Sequence, residues 1–398
     1  MTRIPRGRHA SRSGKYCHTL AALSSLLLGG AGTTALAAPT GTLGLPSLLD
    51  PAPATFAPAP VADLLAGDVS QVTGPTLVVA DASTTTSPAP LPKFAYGGSL
   101  SGLPWASGGT GSPDAFEAYR GRRLDVRTGY LTIRYGWTEM TQLAWVDQYV
   151  TPGNQPVFAV GLLPESARGQ LAQCANGDFD AYIHEIGQDL VMEGAGNAIL
   201  RLGWEANRMG DFPWAVTSTS GPEPYKACFR RWVDVLRTVP GQSFSFDWNM
   251  GAQGNLPYHV DQIYPGNDYV DIIGVQYYDR CPPALTQADW DKRYNSYNTT
   301  TGSPYGLGKW LAYARSKGKR LSVPEWGIGG PSTACARPGV DNPFFIQKMW
   351  QFFTTNADSI AYEAYFNGTS PTGSYQLYPA DANPLSSAQY KALWGPTS

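Results

Sequence analysis

Ala198-Ile199-Leu200-Arg201-Leu202-Gly203-Trp204-Glu205-Ala206-Asn207 contains one repeat of the fold in miniature. Five residues of strand-forming composition run into a glycine, and a tryptophan and a carboxylate follow at once. Helical periodicity flanks the stretch on both sides, from Phe179 to Met192 ending at Gly194, and again from Tyr225 to Leu236. Strand and helix in alternation indicate parallel strands, because parallel neighbours need a long crossover between them. The alternation continues in both directions. Strands are predicted at 94–97, 130–135, 156–160, 198–202, 244–248, 270–275, 320–323 and 360–365, and further helices at 307–316 and 343–353. Eight such units over roughly 300 residues predict an α/β fold, a single (β/α)8 TIM barrel, with a doubly wound sheet as the other arrangement. No G-x-G-x-x-G loop follows a strand, which counts against a dinucleotide site.

In such barrels chemistry gathers at the C-terminal ends of the strands. Those ends carry Trp137, Trp204-Glu205, Trp248-Asn249, Gln276-Tyr277-Tyr278, Glu325-Trp326 and Tyr365 to Asn367. Strands four and seven lie on opposite sides of an eight-stranded barrel, so Glu205 and Glu325 can face each other across its mouth. Two facing carboxyls suit glycoside cleavage, one protonating the leaving oxygen and the other attacking the anomeric carbon or activating water. A salt-bridged rim is the structural alternative. If Glu205 points inward, alternation places Arg201 and Gly203 inward and Leu200 and Leu202 against the helices. The same rule, applied to the last strand, predicts Glu363, Tyr365 and Asn367 inward. Arg201 is then expected to hold a carboxylate ionised or to form a structural ion pair. Trp137, Trp214, Trp248 and Trp326 are candidate platforms for pyranose rings.

Composition agrees with a neutral substrate. The formal net charge is −2, with 12 Trp and 22 Tyr. No basic block or basic helix face suits nucleic acid. The four His form no spaced cluster, Ser322 lacks a G-x-S-x-G frame, and the cysteines show no C-x-x-C pattern. Neither a metal nor a cofactor is expected.

The beginning of the chain reads differently. Basic residues, an apolar run from about Thr19 to Leu28 and the tail Ala35-Leu36-Ala37 have the layout of a secretory signal peptide cleaved near Ala37. A retained anchor is the alternative. Residues 38–93 are rich in Pro, Ala and Thr and are expected to form a linker. Residues 94–398 would be the catalytic domain. The expectation is a secreted, extracellular monomer with no membrane attachment after cleavage. Cys17 lies in the signal, leaving Cys174, Cys228, Cys281 and Cys335. Adjacent helices would bring Cys174 to Cys228, and adjacent loops Cys281 to Cys335.

From about Phe94 onward the chain resembles clan A glycoside hydrolases, and in detail glycoside hydrolase family 26, best known for endo-β-1,4-mannanases. The resemblance is carried by Arg201-Leu202-Gly203-Trp204-Glu205-Ala206-Asn207 and on to Trp214, by Val270 to Tyr278, and by Pro324-Glu325-Trp326-Gly327. It implies Glu205 as acid/base, Glu325 as nucleophile, Asn207 and Trp214 as substrate contacts, and Tyr278 touching the nucleophile. It further implies a retaining attack on a β-linked polysaccharide or oligosaccharide, with β-mannan first. Three positions depart from the family pattern. Trp204 stands where the family has His, Gln276 where it has Asp, and Tyr365 where it has Trp. Hydrolysis of β-glucan, xylan or another cell-wall glycan, and a non-catalytic carbohydrate-binding barrel, are the alternative readings.

Overall fold

The computed structural model describes residues 98–208, 210, 212–216, 221–280, 282–329, 341–370 and 373–396. The expected signal peptide, the linker, the segment 94–97, Cys281 and Cys335 lie outside the described residues. Eight parallel strands close into a barrel in sequence order: β1 Ala106–Thr110, β2 Val126–Tyr130, β3 Gln155–Val160, β4 Ile199–Leu202, β5 Ser245–Gly251, β6 Ile272–Tyr278, β7 Arg320–Gly327 and β8 Ile360–Tyr365. Around them, among the described residues, lie α1 Pro113–Arg120, α2 Trp137–Met140, α3 Leu171–Asn176, α4 Asp180–Met192, α5 Glu223–Arg237, α6 Gln287–Tyr294, α7 Leu307–Ser316, α8 Pro343–Thr355 and α9 Pro384–Trp394. None of these helices is long and apolar enough to cross a membrane.

The predicted barrel is present, and its first two strands are not where expected. The first predicted strand, 94–97, lies outside the described residues, and the barrel closes through Ala106–Thr110, which pairs with both β2 and β8. Its sequence, ASGGT, has little strand character. The glycines serve close packing instead. A Cβ on Gly108 would lie 2.2 Å from the Val126 carbonyl oxygen, and one on Gly109 would lie 2.4 Å from the Phe116 ring. The second strand covers 126–130 rather than 130–135. Beyond Leu131 the chain leaves β3 and pairs with the next loop, where Glu165 N donates to Ile133 O and Ser166 N to Tyr135 O.

The helices show why the rest was readable. In α5, Tyr225, Cys228, Phe229, Trp232, Val233 and Leu236 are buried, a stripe at three- and four-residue spacing that seals against the barrel. Cys228 in that stripe forms a disulfide with Cys174 of α3, as expected. The barrel interior has an apolar floor of Ala106, Val126, Val157, Ile199, Ile272 and Tyr362. Above that floor the inward residues become polar.

Candidate active site

That polar layer follows from alternation. Ile199 on β4 lies in the floor, so Arg201 points inward two residues later, fully buried. After β4 the backbone turns sharply. Gly203 and Glu205 both adopt φ of 53°, and Glu205 is the one non-glycine with positive φ among the described residues. Such a conformation costs about 1–3 kcal/mol and persists where surrounding contacts enforce it. Here Glu205 N donates to Asn249 O of β5 at 2.8 Å, and Arg208 N donates to Glu205 O at 2.9 Å. The Glu205 side chain is buried, with Arg208 Nη1 donating to its Oε1 at 3.2 Å. Burial raises its pKa above the usual carboxyl value, and the neighbouring charge of Glu325 adds to this, against the lowering effect of Arg208 and Arg280. The group is thereby biased toward holding a proton.

Glu325 on β7 meets different partners. Arg201 Nη2 donates to its Oε1 at 2.5 Å, and Tyr278 OH donates to its Oε2 at 3.1 Å. Arg201 is itself held. Its Nε and Nη2 donate to Asn249 Oδ1 at 3.2 and 2.8 Å, and its guanidinium lies 5.7 Å from the Tyr130 ring centroid. Burial, followed by the charge on Glu325, raises the Tyr278 phenol well above its ordinary value. It therefore remains a donor at working pH. One carboxyl is thus biased toward protonation, and the other accepts from a guanidinium and a phenol.

Beneath them lies a third carboxyl group, Asp247, that the sequence reading did not single out. Asp247 is fully buried and accepts from Ser322 Oγ and Tyr362 OH, each at 2.6 Å. Burial pushes its pKa up to about 6, while Ser322, Tyr362 and Arg201 act to lower it. Unfolded, it would ionise near 3.8. The folded protein thus binds this proton more tightly, and stability falls as pH rises between the two values. Asp247 Oδ1 has no partner among the described residues, so an amide nitrogen there displaces no bond. Asp247→Asn is expected to flatten the pH dependence of stability between about pH 4 and 6. Urea unfolding at both pH values checks this.

The remaining predicted contacts are placed otherwise. Asn207 spans a loop, with Nδ2 donating to Gly251 O at 2.7 Å and Oδ1 accepting from Gly251 N at 2.9 Å. Trp214 is fully buried. It stacks on Phe212 at 4.9 Å, and its indole N–H donates to the Trp204 carbonyl. Trp137 packs on Phe179, Tyr182 and Trp232. Trp248 turns outward onto Tyr264, because Asp247 and Asn249 on either side of it face inward. Trp326 and Tyr365 also face outward, and so does Glu363, which corrects the inward reading of β8. Tyr362 occupies the inside, its hydroxyl on Asp247. On β8 the inward positions are therefore Tyr362 and Ala364. The four candidate platforms (Trp137, Trp214, Trp248 and Trp326), and Tyr365 with them, are thus core. Asn367 caps the following loop through Leu377 N and Tyr378 N.

Two more residues lie near the pair: Tyr130, which the sequence reading did not single out, and Gln276, which it marked as a departure from the family pattern. Tyr130 ends β2 inward against Arg201 and Trp204. Gln276 on β6 pairs in register with Glu325, is buried, and has both side-chain polar atoms without a partner among the described residues. Alternation along β2 from Val126 and along β6 from Ile272, both in the floor, points each of them inward.

Residues 165–299 match the model of glycosyl hydrolase family 26. The matched stretch includes Glu205 and Tyr278 and stops short of Glu325. Among solved structures, an endo-β-1,4-mannanase double mutant from Cellulomonas fimi is similar at 18% identity, over 72% of this chain and 70% of that one, with a TM-score of 0.52. The catalytic domain of a family 26 endo-β-1,4-mannanase from Bacillus sp. JAMB-750 is similar at 17% identity, over 74% of this chain and 88% of that one, with a TM-score of 0.50. At these identities the likeness establishes the fold. No curated protein matches the chain in sequence. With the barrel, the family match and the paired carboxyls together, the chain is a glycoside hydrolase that resembles glycosyl hydrolase family 26.

Proposed function

We propose that this protein is a secreted, retaining glycoside hydrolase that cleaves a β-linked polysaccharide, with β-1,4-mannan as first candidate. The observation that carries the reading is the asymmetry of the pair. Glu205 is buried with its pKa raised, while Glu325 receives hydrogen bonds from Arg201 and Tyr278. In the proposed mechanism Glu205 donates its proton to the glycosidic oxygen as Glu325 attacks the anomeric carbon, giving a covalent glycosyl-enzyme. Attack neutralises Glu325, and with it the charge that raised the Glu205 pKa. The Glu205 pKa then falls, so Glu205 stays ionised and free to take a proton from the water that releases the sugar. The unpartnered amide of Gln276, beside Glu325 in register, suits a sugar hydroxyl.

The mannan preference is supported by the likeness to the endo-β-1,4-mannanases from Cellulomonas fimi and Bacillus. Secretion is supported by the leader-like first 37 residues and by the disulfide, a bond typical of oxidising compartments. Purified protein incubated with mannan, xylan, mixed-linkage glucan and cellulose is expected to release reducing sugar from mannan fastest. Faster release from another of these glycans would reassign the sugar, and release from none would count against catalysis.

A further inference from the structure

Glu363 on β8 faces away from the barrel axis, is fully buried, and takes no part in the chemistry above. Four donors converge on its carboxylate. Trp105 Nε1 at 3.3 Å, Trp394 Nε1 at 3.0 Å and Ser107 Oγ reach Oε1, and Trp326 Nε1 reaches Oε2 at 2.5 Å. They come from the segment before β1, from α9, from β1 and from β7. A buried carboxylate is costly unless so satisfied, and this one joins four parts of the chain. One of those parts is the residue next to Glu325.

The strand β7 explains why that matters. Ser322 faces inward, its hydroxyl on Asp247. Strict alternation from Ser322 would send residues 324 and 326 inward and Glu325 outward. The register shows what prevents this. Toward β6, Gly274 pairs with Ser322 and Gln276 with Glu325, two residues on one strand against three on the other. Toward β8, Glu363 pairs with Val323 and Tyr365 with Trp326, again two against three. One extra residue therefore sits in β7 after Ser322 relative to β6, and after Val323 relative to β8, where it offsets an opposite shift between Leu321 and Ser322. Such a bulge re-aims the side chains that follow it, and Pro324, which has no N–H to give a ladder, lies within it. As a result Glu325 turns inward to Arg201 and Trp326 outward. Trp326 is held there by Glu363 and by packing on Tyr365 and Trp394, with centroids at 4.9 and 5.2 Å.

We infer that Glu363 is a positioning residue for Glu325: by accepting the Trp326 indole N–H on the outside of the barrel, it holds the bulge register that keeps Glu325 facing Arg201 inside. The inference rests on the proposed reading of Glu325 as nucleophile. It also ties the C-terminal helix α9 to the site, because Trp394 shares the same carboxylate.

The test uses full-length wild type, Glu363→Gln, Trp326→Phe and the double variant. A glutamine offers an N–H where the cluster needs an acceptor, and a phenylalanine keeps the packing but removes the indole donor. For each protein, kcat and KM on the preferred polysaccharide, the melting temperature, and the rate of labelling by a 2-deoxy-2-fluoro-β-mannosyl fluoride, located by peptide mass mapping, are measured. In each single variant, kcat and the labelling rate per folded molecule are expected to fall on the order of tenfold to a hundredfold. KM should stay within about twofold. The double variant should be no worse than the poorer single one, since both remove the same hydrogen bond. Unchanged kcat per folded molecule in either single variant, whatever the melting temperature does, would overturn the inference, as would losses that multiply in the double variant. Labelling of wild type at a residue other than Glu325 would instead overturn the nucleophile reading, and the inference with it.

Discussion

Glu325→Gln is expected to lower kcat by roughly 10⁴–10⁶-fold, the scale seen when a covalent nucleophile is removed. The substitution is nearly isosteric, so its surroundings predict a folded protein. The amide oxygen can still accept from Arg201 Nη2, which lies 2.5 Å from Oε1 in the wild type. The amide nitrogen would face Tyr278 OH, which sits 3.1 Å from Oε2 and can rotate to accept. What disappears is the charge. A neutral amide cannot form the ester with the anomeric carbon, and Arg201 is left without its anion in a buried site. Binding should change far less than turnover, because the bond from Glu325 to the anomeric carbon forms only during attack. Steady-state kinetics with isothermal binding of an oligosaccharide checks both halves. Residual turnover within about tenfold of wild type would remove Glu325 from the mechanism.

Glu205→Ala is expected to separate substrates by leaving group. For the natural glycan, whose leaving oxygen must be protonated, the loss should be about 10²–10⁴-fold. For a dinitrophenyl glycoside the first step should be nearly unaffected, because that group departs as a stable anion. The second step would still lack its base, so the variant should show a burst of dinitrophenol and then slow turnover. The pH profile should change as well. In wild type, activity is expected to fall as pH rises through the Glu205 pKa, which burial and the Glu325 charge hold above the ordinary value. With the dinitrophenyl substrate, Glu205→Ala should lose that alkaline limb. Equal losses for both substrates would deny Glu205 the role of acid.

Much of this site was legible because its two determinants are local. A strand, a glycine and a Trp-Glu pair place Glu205 at the barrel mouth, and alternation then fixes Arg201 inward. Two other features are not local. The direction of Glu325 depends on an extra residue in β7, which shows only in its register with β6 and β8. The first strand was missed because Gly108 and Gly109 are selected for close approach to β2 and α1, at the expense of strand propensity. The tryptophans misled for a related reason. Trp248 and Trp326 adjoin inward polar residues, and a neighbour in a strand points the opposite way. Their indoles fill the layer between barrel and helices, where a large apolar ring gains most from burial.

Net retention of anomeric configuration is the claim on which the acid, the nucleophile and the changing pKa of Glu205 all depend. Proton NMR of a purified reaction on a β-linked oligosaccharide, recorded within the first minutes and before mutarotation, tests it directly. The account predicts that the β-anomer of the new reducing end appears first and the α-anomer grows in later. Appearance of the α-anomer first would mean that water attacks directly, that Glu325 serves as a base instead of a nucleophile, and that the double displacement proposed here does not occur.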